Sequence, residues 1–545
     1  MICRFSTTLI FILASALPPD SVLRAQQNIP APVWQEAGVP YLQNFSPKEY
    51  QDTPQNWCIA QDDNGLMYFG NYGVLVYDGV SWDRIDVNET AVRSLAVGHG
   101  RIYVGAQSEL GYLAPGEAGR LRYFSLRDSI PEPYRDFQDV WRTLVIGEAV
   151  YFQTFNYLFR YAGGKMNVWQ PQDRYHLAFA VHDTLFMRVP GLGLMKLVSD
   201  SLQRVAGGER FADISILTML PFDDTRILIG TLTQGLFLYE GAGITPFATA
   251  ADVFLRERQL YHGAVLPGGL FALGTLRGGV VIIDRHGNRC QILNKASGLR
   301  DDRIHALYAD PAGALWLALN NGLARVETPG PFSRYATNAG IESTVEYLTR
   351  HRGKMYAATH NGVYALHGNL ANAAGSPSSI NASAHFATAS SLFKPVAGIA
   401  SHSWFLLNAG EHLLAATDEG VYQIQNERAT LIKTSWPGAI CLYRSQRDTT
   451  LVFAGLFEGL AALRLLDGAW RDLDRFQNLN EMVVSIAEAA DGTLWLGTQY
   501  EGVLRIAPDS VGALVPAGEG QTRVTRFGQA HGLPNTRVSV ASIAG

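Results

Sequence analysis

One unit recurs along this chain of 545 residues: a hydrophobic strand, a glycine-containing turn, a second strand ending in Gly or Ala, and a third strand after another glycine. The first clear copy is Ile304-His305-Ala306-Leu307-Tyr308-Ala309-Asp310-Pro311-Ala312-Gly313-Ala314-Leu315-Trp316-Leu317-Ala318, followed by Asn320-Asn321-Gly322-Leu323-Ala324-Arg325-Val326. The second is Val484-Ser485-Ile486-Ala487, Asp491-Gly492-Thr493-Leu494-Trp495-Leu496-Gly497-Thr498 and Gly502-Val503-Leu504-Arg505-Ile506. Weaker copies place the glycine before the third strand at Gly73, Gly111, Gly193, Gly235, Gly279, Gly362, Gly420 and Gly459, with a glycine-less copy near Leu158-Phe159-Arg160-Tyr161. These make about eleven units, most of them about 35 to 47 residues apart, the length of a four-stranded propeller blade. The longer gap from Gly362 to Gly420 holds an Ala-, Ser- and Asn-rich stretch, Asn369 to Ser391, which reads as a surface insertion.

Apolar, β-branched and aromatic residues come in short runs bounded by Gly, Asn and Asp, with no sustained helical period, which favours strands over an α-solenoid. Near-continuous apolar runs such as Val280-Val281-Ile282-Ile283 fit sheets covered on both faces. Trp316 and Trp495 are expected to fill the wedges between blades. Asp63-Asn64-Gly65 and Asp491-Gly492 are hairpin tips, where Gly and Asn tolerate positive φ. The expected fold class is all-β: tandem β-propellers of four-stranded blades, one seven-bladed and a second incomplete. The first propeller is assigned to residues 41–330, ending at the Pro329-Gly330-Pro331 passage, and the second to 331–545. The last residues, Gly532-Leu533-Pro534-Asn535-Thr536-Arg537-Val538, repeat the start of a unit (Gly298-Leu299-Arg300), so the sequence reads as a fragment that stops within a blade.

Residues 1–25 read as an export leader: Arg4, an apolar run from Leu9 to Leu17 and small residues before a cleavage point after Ala25. The run is too short to span a bilayer and is followed by Pro18-Pro19, and no later apolar stretch is long enough to cross one. A periplasmic or otherwise exported location follows. The formal net charge of -5 gives no pull toward nucleic acid. Cys58, Cys290 and Cys441 are odd in number and lack metal or disulfide spacing, so they read as buried small hydrophobes.

The Asp, Gly, Leu-Trp-Leu unit with its Asn-Gly-Leu or Glu-Gly-Val turn resembles the two-component regulator propeller repeat. The junction Arg325-Val326-Glu327-Thr328-Pro329-Gly330-Pro331-Phe332-Ser333 and the opening Tyr68-Phe69-Gly70-Asn71-Tyr72-Gly73-Val74 are similar to that family as well. The resemblance implies a periplasmic ligand-sensing region, commonly of two seven-bladed propellers, followed by a three-tyrosine β-sandwich, a membrane span and a cytoplasmic output domain. It implies no catalytic residue in this chain. The partners expected are a small-molecule or oligosaccharide ligand and a second copy, joined through a C-terminal region beyond this sequence.

Enzyme motifs are missing: there is no H-E-x-x-H, P-loop or G-x-S-x-G, and Gly191-Leu192-Gly193 lacks the third glycine of a dinucleotide site. The Asp310 and Asp491 turns only faintly resemble the Asp-boxes of sialidases, since Tyr308 and Ala489 stand where a Ser or Thr belongs. A glycosidase would need two converging carboxylates. Asp62-Asp63-Asn64-Gly65 lacks the alternating ligands of a calcium loop. No cofactor or metal is expected. One column does carry chemistry. Aligning the innermost strands on Ile59, Leu95, Leu144, Ala264 and Leu307 brings Trp57, Arg93, Arg142, His262 and His305 to one position. If it faces the central channel, the first propeller presents an aromatic, partly cationic funnel for a sugar or an anion; otherwise these are satisfied polar groups between blades. The reading is a sensor region signalling to an output domain absent here, with an exported protein-binding scaffold and a propeller glycosidase as alternatives.

Overall fold

The computed structural model describes residues 38–116, 119–328, 330, 332–335, 339–367, 392–507, 523–533 and 537–541. The leader and the Asn369 to Ser391 insertion lie outside them, as does the side chain of Cys290. The described chain folds into eleven four-stranded antiparallel sheets. We number them as blades 1 to 11 in the order 58–85, 92–125, 142–169, 178–204, 216–247, 260–293, 304–327, 345–395, 403–431, 439–475 and 483–527. In blades 1 to 7 each innermost strand touches the next, and that of blade 7 returns to blade 1, which closes a seven-bladed propeller. Blades 8 to 11 pack in sequence in the same way.

Closure is made by the N-terminal strand Leu42–Phe45, which adds to blade 7 as its outermost strand, Leu42 opposite Val326 and Phe45 opposite Leu323. Phe45 is buried, stacked on Trp316 at 5.8 Å and edge-on to Tyr77 and Trp82 at 5.3 and 5.4 Å. One side chain thus joins blade 7 to blade 1. Nearby, fully buried Asn56 donates to the Gly322 carbonyl and to the Tyr50 hydroxyl, tying the same seam with polar contacts.

The core lies between blades. Ile229 packs against blade 4 while its neighbour Leu228 packs against blade 6, and Val281 and Ile283 face blade 5 while Val280 and Ile282 face blade 7. Successive strand residues point to opposite faces. When both faces are covered, an unbroken apolar run divides into two layers, which is why these strands do not alternate with polar residues. Trp316 fills the wedge between blades 7 and 1 as the sequence suggests. Trp495 is half-buried, against Phe527 at 5.8 Å and under Arg505.

The repeat's glycines and aspartates have local causes. Gly322 takes φ +99, and a Cβ there would lie 2.6 Å from the Phe45 carbonyl oxygen; at Gly73 the values are φ +105 and 2.8 Å from that of Ile85. Only glycine lets the third strand start so close to the fourth. Asp310 accepts from the Ala314 amide and from Trp316 Nε1, locking the hairpin to the wedge indole. Asp62 accepts from the amides of Asn64 and Leu66, so this acidic turn is a hairpin tip. Cys441 is buried and Cys58 half-buried, and desolvation pushes both thiols up to about 12.

Truncating Phe45 to Ala removes the side chain that bridges the seam. The expected cost is about 3–5 kcal/mol in denaturant unfolding followed by tryptophan fluorescence. A loss below about 1 kcal/mol would mean that closure does not depend on this residue.

Candidate functional site

The innermost strands of blades 2, 5, 6 and 7 each carry a β-bulge near their start, at Val92/Ser94, Ile216/Thr218, Leu260/His262 and Ile304/Ala306. A bulge adds a residue without a cross-strand partner and re-aims its side chain. The added residues are Arg93, Leu217, Tyr261 and His305. In blades 1 and 3 the position falls to Trp57 and Trp141, whose amides donate to the Gly70 and Gln153 carbonyls just ahead of the regular pairs Cys58–Gly70 and Arg142–Gln153. The five residues aligned from sequence therefore divide. Trp57, Arg93 and His305 share the bulge position, whereas Arg142 and His262 stand one residue further into their strands. The alignment counted from Leu144 and Ala264, but Thr143 and Gly263 hold the register of Ile59, Leu95 and Leu307.

The bulge residues stack on one another. The Trp57 and His305 rings lie 4.3 Å apart and nearly parallel, at 5°. The Arg93 guanidinium sits 4.2 Å over Trp57 and 5.6 Å from Trp141, and Trp141 stacks on Phe155 at 5.7 Å. Tyr261 extends the series beyond His305, at 6.3 Å. Arg93 is also ion-paired, its Nε donating to Asp139 at 2.8 Å. His305 Nδ1 donates to the Asn56 carbonyl at 3.0 Å, and burial holds its pKa down to about 4 against that hydrogen bond. Arg93 and His305 are thus engaged with protein groups and form a rim.

Inside the rim the seven innermost strands enclose a cavity of about 230 Å³ lined by residues including Trp57, Arg93, Arg142, Thr143, Thr218 and His262. Arg142 has one hydrogen bond, from Nη1 to the Trp141 carbonyl at 3.3 Å. Among the described residues no carboxylate pairs with it. Burial lowers its pKa, opposed only by Tyr261 and Cys58. His262 Nδ1 accepts from the Leu307 amide at 3.2 Å, and burial followed by the charge of Arg142 pushes its pKa to about 3, so the imidazole is neutral at pH 7. His176, in the turn leading into blade 4, is likewise held at about 4 by burial and by Arg188, Arg142 and Arg174, with its Nδ1 buried and without a hydrogen bond.

A desolvated guanidinium without a counter-ion is suited to a carboxylate or phosphate, which it can meet through two parallel hydrogen bonds. Among the described residues the cavity lining holds no Asp or Glu, so they form no glycosidase carboxylate pair there. Sequence reasoning missed Trp141, Phe155, Asp139 and Tyr261. Trp141 stands directly before Arg142 and became visible only once strand pairing fixed the register.

The neutral histidines set an acid limit. His262, His176 and His305 have folded pKa values depressed from 6.5 to about 3 or 4, so the unfolded chain binds more protons in that window and stability falls as pH drops through it. Replacing His262 and His305 by Gln is expected to flatten the loss of unfolding midpoint between pH 6.5 and 4. Equal slopes for the variant and the parent chain would refute this account.

Comparison with known proteins bears on the fold and the repeat. A comparison with curated protein sequences gives no match. Among solved structures, the chain is similar to the extracellular domain assigned to the hybrid two component system BT3049 of B. thetaiotaomicron, with TM-score 0.64 and 14% identity over 91% of this chain and 68% of that one. The extracellular domain assigned to the one component system BT4673 of the same organism aligns with TM-score 0.42 and 14% identity over 89% of this chain and 73% of that one. Residues 478–500, which span the first two strands of blade 11, match the two component regulator propeller family. With eleven four-stranded blades among the described residues, the chain is a β-propeller protein, and its residues 478–500 match the two-component regulator propeller repeat.

Proposed function

We propose that this chain is the exported, ligand-receiving part of a regulator, and that it takes an anionic small molecule or the acidic end of an oligosaccharide into the channel of its first propeller. Residues 41–330 form the receiving unit in this reading, and 331–545 belong to a second propeller that stands between it and an output domain. The observation that carries the proposal is Arg142: a guanidinium within a 230 Å³ cavity whose only hydrogen bond among the described residues is to a backbone carbonyl. Leaving a charge so desolvated is costly, and an incoming carboxylate would offset that cost. The rings of Trp57, His305 and Trp141 and the Arg93 guanidinium already cover one another's faces, so this rim supports the reading as a rigid frame around the cavity, with Arg142 as the group that meets the ligand. The regulator-repeat match at 478–500 supports a sensing role, and among the described residues the cavity lining has no carboxylate pair for glycoside hydrolysis. Among the described residues no helix is long and apolar enough to cross a membrane.

Calorimetry with glucuronate, oligogalacturonates and neutral glucose oligomers tests the reading. Acidic probes are expected to bind in preference to neutral ones, and Arg142→Met to weaken them by roughly 10- to 100-fold, the worth of a charge-assisted hydrogen bond. Arg142→Lys should restore little, because a point charge does not reproduce the bidentate fork. Arg93→Ala should weaken binding less than Arg142→Met, since Arg93 acts through the two indoles. If folded Arg142→Met and Arg93→Ala chains bind every probe as the parent does, the channel is not the receiving site.

A further inference from the structure

A different chemistry gathers on blades 8 and 9. Blade 8 also has a bulge at the start of its innermost strand, between Val345 and Tyr347, and the added residue is Glu346. His360 lies in the hairpin between the strands Lys354–Thr359 and Gly362–His367 of the same blade. His402 immediately precedes Ser403–Ala409, the innermost strand of blade 9. Glu346 and His360 belong to one blade and His402 to the next, and the topology brings them together: Glu346 Oε1 is 2.6 Å from His360 Nε2 and 3.8 Å from His402 Nε2, and one ligand atom from each lies within 4.8 Å of the others.

We propose that Glu346, His360 and His402 bind a divalent first-row transition metal ion, for which Zn²⁺ is the test case. Tetrahedral zinc, with nitrogen and oxygen ligands at about 2.0–2.2 Å, needs ligand atoms about 3.3 Å apart, within the range these atoms span. A hydrogen bond accounts for the Glu346–His360 contact. It does not account for His402, whose Nε2 is buried, without a hydrogen bond, and directed at the same carboxylate. The His402 ring is held from behind: it stacks on Trp404 at 3.7 Å, Trp404 Nε1 donates to Asp418 at 2.7 Å, and the Asp418 amide donates to the His402 carbonyl. The stacked indole, itself anchored on Asp418, restrains the orientation of the imidazole. Two imidazoles and a carboxylate suit zinc and its neighbours better than calcium or magnesium, which prefer all-oxygen shells. Glu346 and His360 are exposed, so three protein ligands leave a coordination position open to water or to a ligand. The ion would also cross-link blade 8 to blade 9.

The test uses the full chain stripped with EDTA and titrated with ZnCl₂ by calorimetry, with Co²⁺ absorption as a second readout. Expected is one Zn²⁺ per chain, with affinity lowered at least tenfold in His402→Ala, His360→Ala and Glu346→Gln, and kept in His286→Ala, whose exposed imidazole lies on blade 6. Bound Co²⁺ should give a protein-ligated spectrum in the parent chain and only that of the aqueous ion in the variants. Glu346→Gln changes an exposed side chain with little change of shape, so it keeps the test decisive if a histidine variant misfolds. No uptake by the parent chain, or unchanged uptake by Glu346→Gln and the histidine variants, overturns the proposal.

Discussion

Each blade of the first ring is apolar on both faces, and that constraint governs the rest of the ring. A sheet with Leu228 on one side and Ile229 on the other has no face to give to water, so it is stable only between two neighbours. Seven such sheets satisfy one another by closing a ring, and the ring needs its ends joined. Phe45, wedged among Trp316, Tyr77 and Trp82, is where the apolar layer of the last blade meets that of the first.

Because closure fixes the seven innermost strands, small irregularities in them decide which side chains leave the ladder. The bulge residue escapes the ladder and can be almost any type: Arg93, Leu217, Tyr261 and His305 in the first propeller, Glu346 in blade 8 and Trp404 in blade 9. The scaffold leaves these side chains free to vary. In the first ring Arg93, Tyr261 and His305 join Trp57 and Trp141 in an aromatic and cationic rim over a neutral-histidine cavity. In blades 8 and 9 the same position brings a carboxylate beside two imidazoles.

Much of the fold was legible in the sequence because its signals are local. Glycines such as Gly322 mark an approach between adjacent strands that any other residue would block, and Asp310 with Trp316 reports a single hairpin and its wedge. The candidate site was legible only in part. Trp57, Arg93 and His305 fall at one position, but Arg142 and His262 are offset by a residue, because a bulge changes the count along a strand without a local mark. The partners that decide each group's role are remote: Asp139 for Arg93, Trp57 for His305, Leu307 for His262. Glu346, His360 and His402 have no spacing that would betray them. Only the pairing of strands reveals such neighbours.

The closing strand also orders events in time. Leu42 is among the first described residues, yet its hydrogen-bonding partner Val326 emerges only when the seventh blade is complete. Until then the first blade's outer layer has no cover on that side, and the strand that will provide it lacks its native partner. Long-range closure of this kind is slow because chain entropy is lost before the contacts form. The same arrangement works in reverse once the ring is shut: a pull on the N-terminus loads the ladder between Leu42–Phe45 and blade 7 along its length, so several hydrogen bonds must yield together before the ring can open.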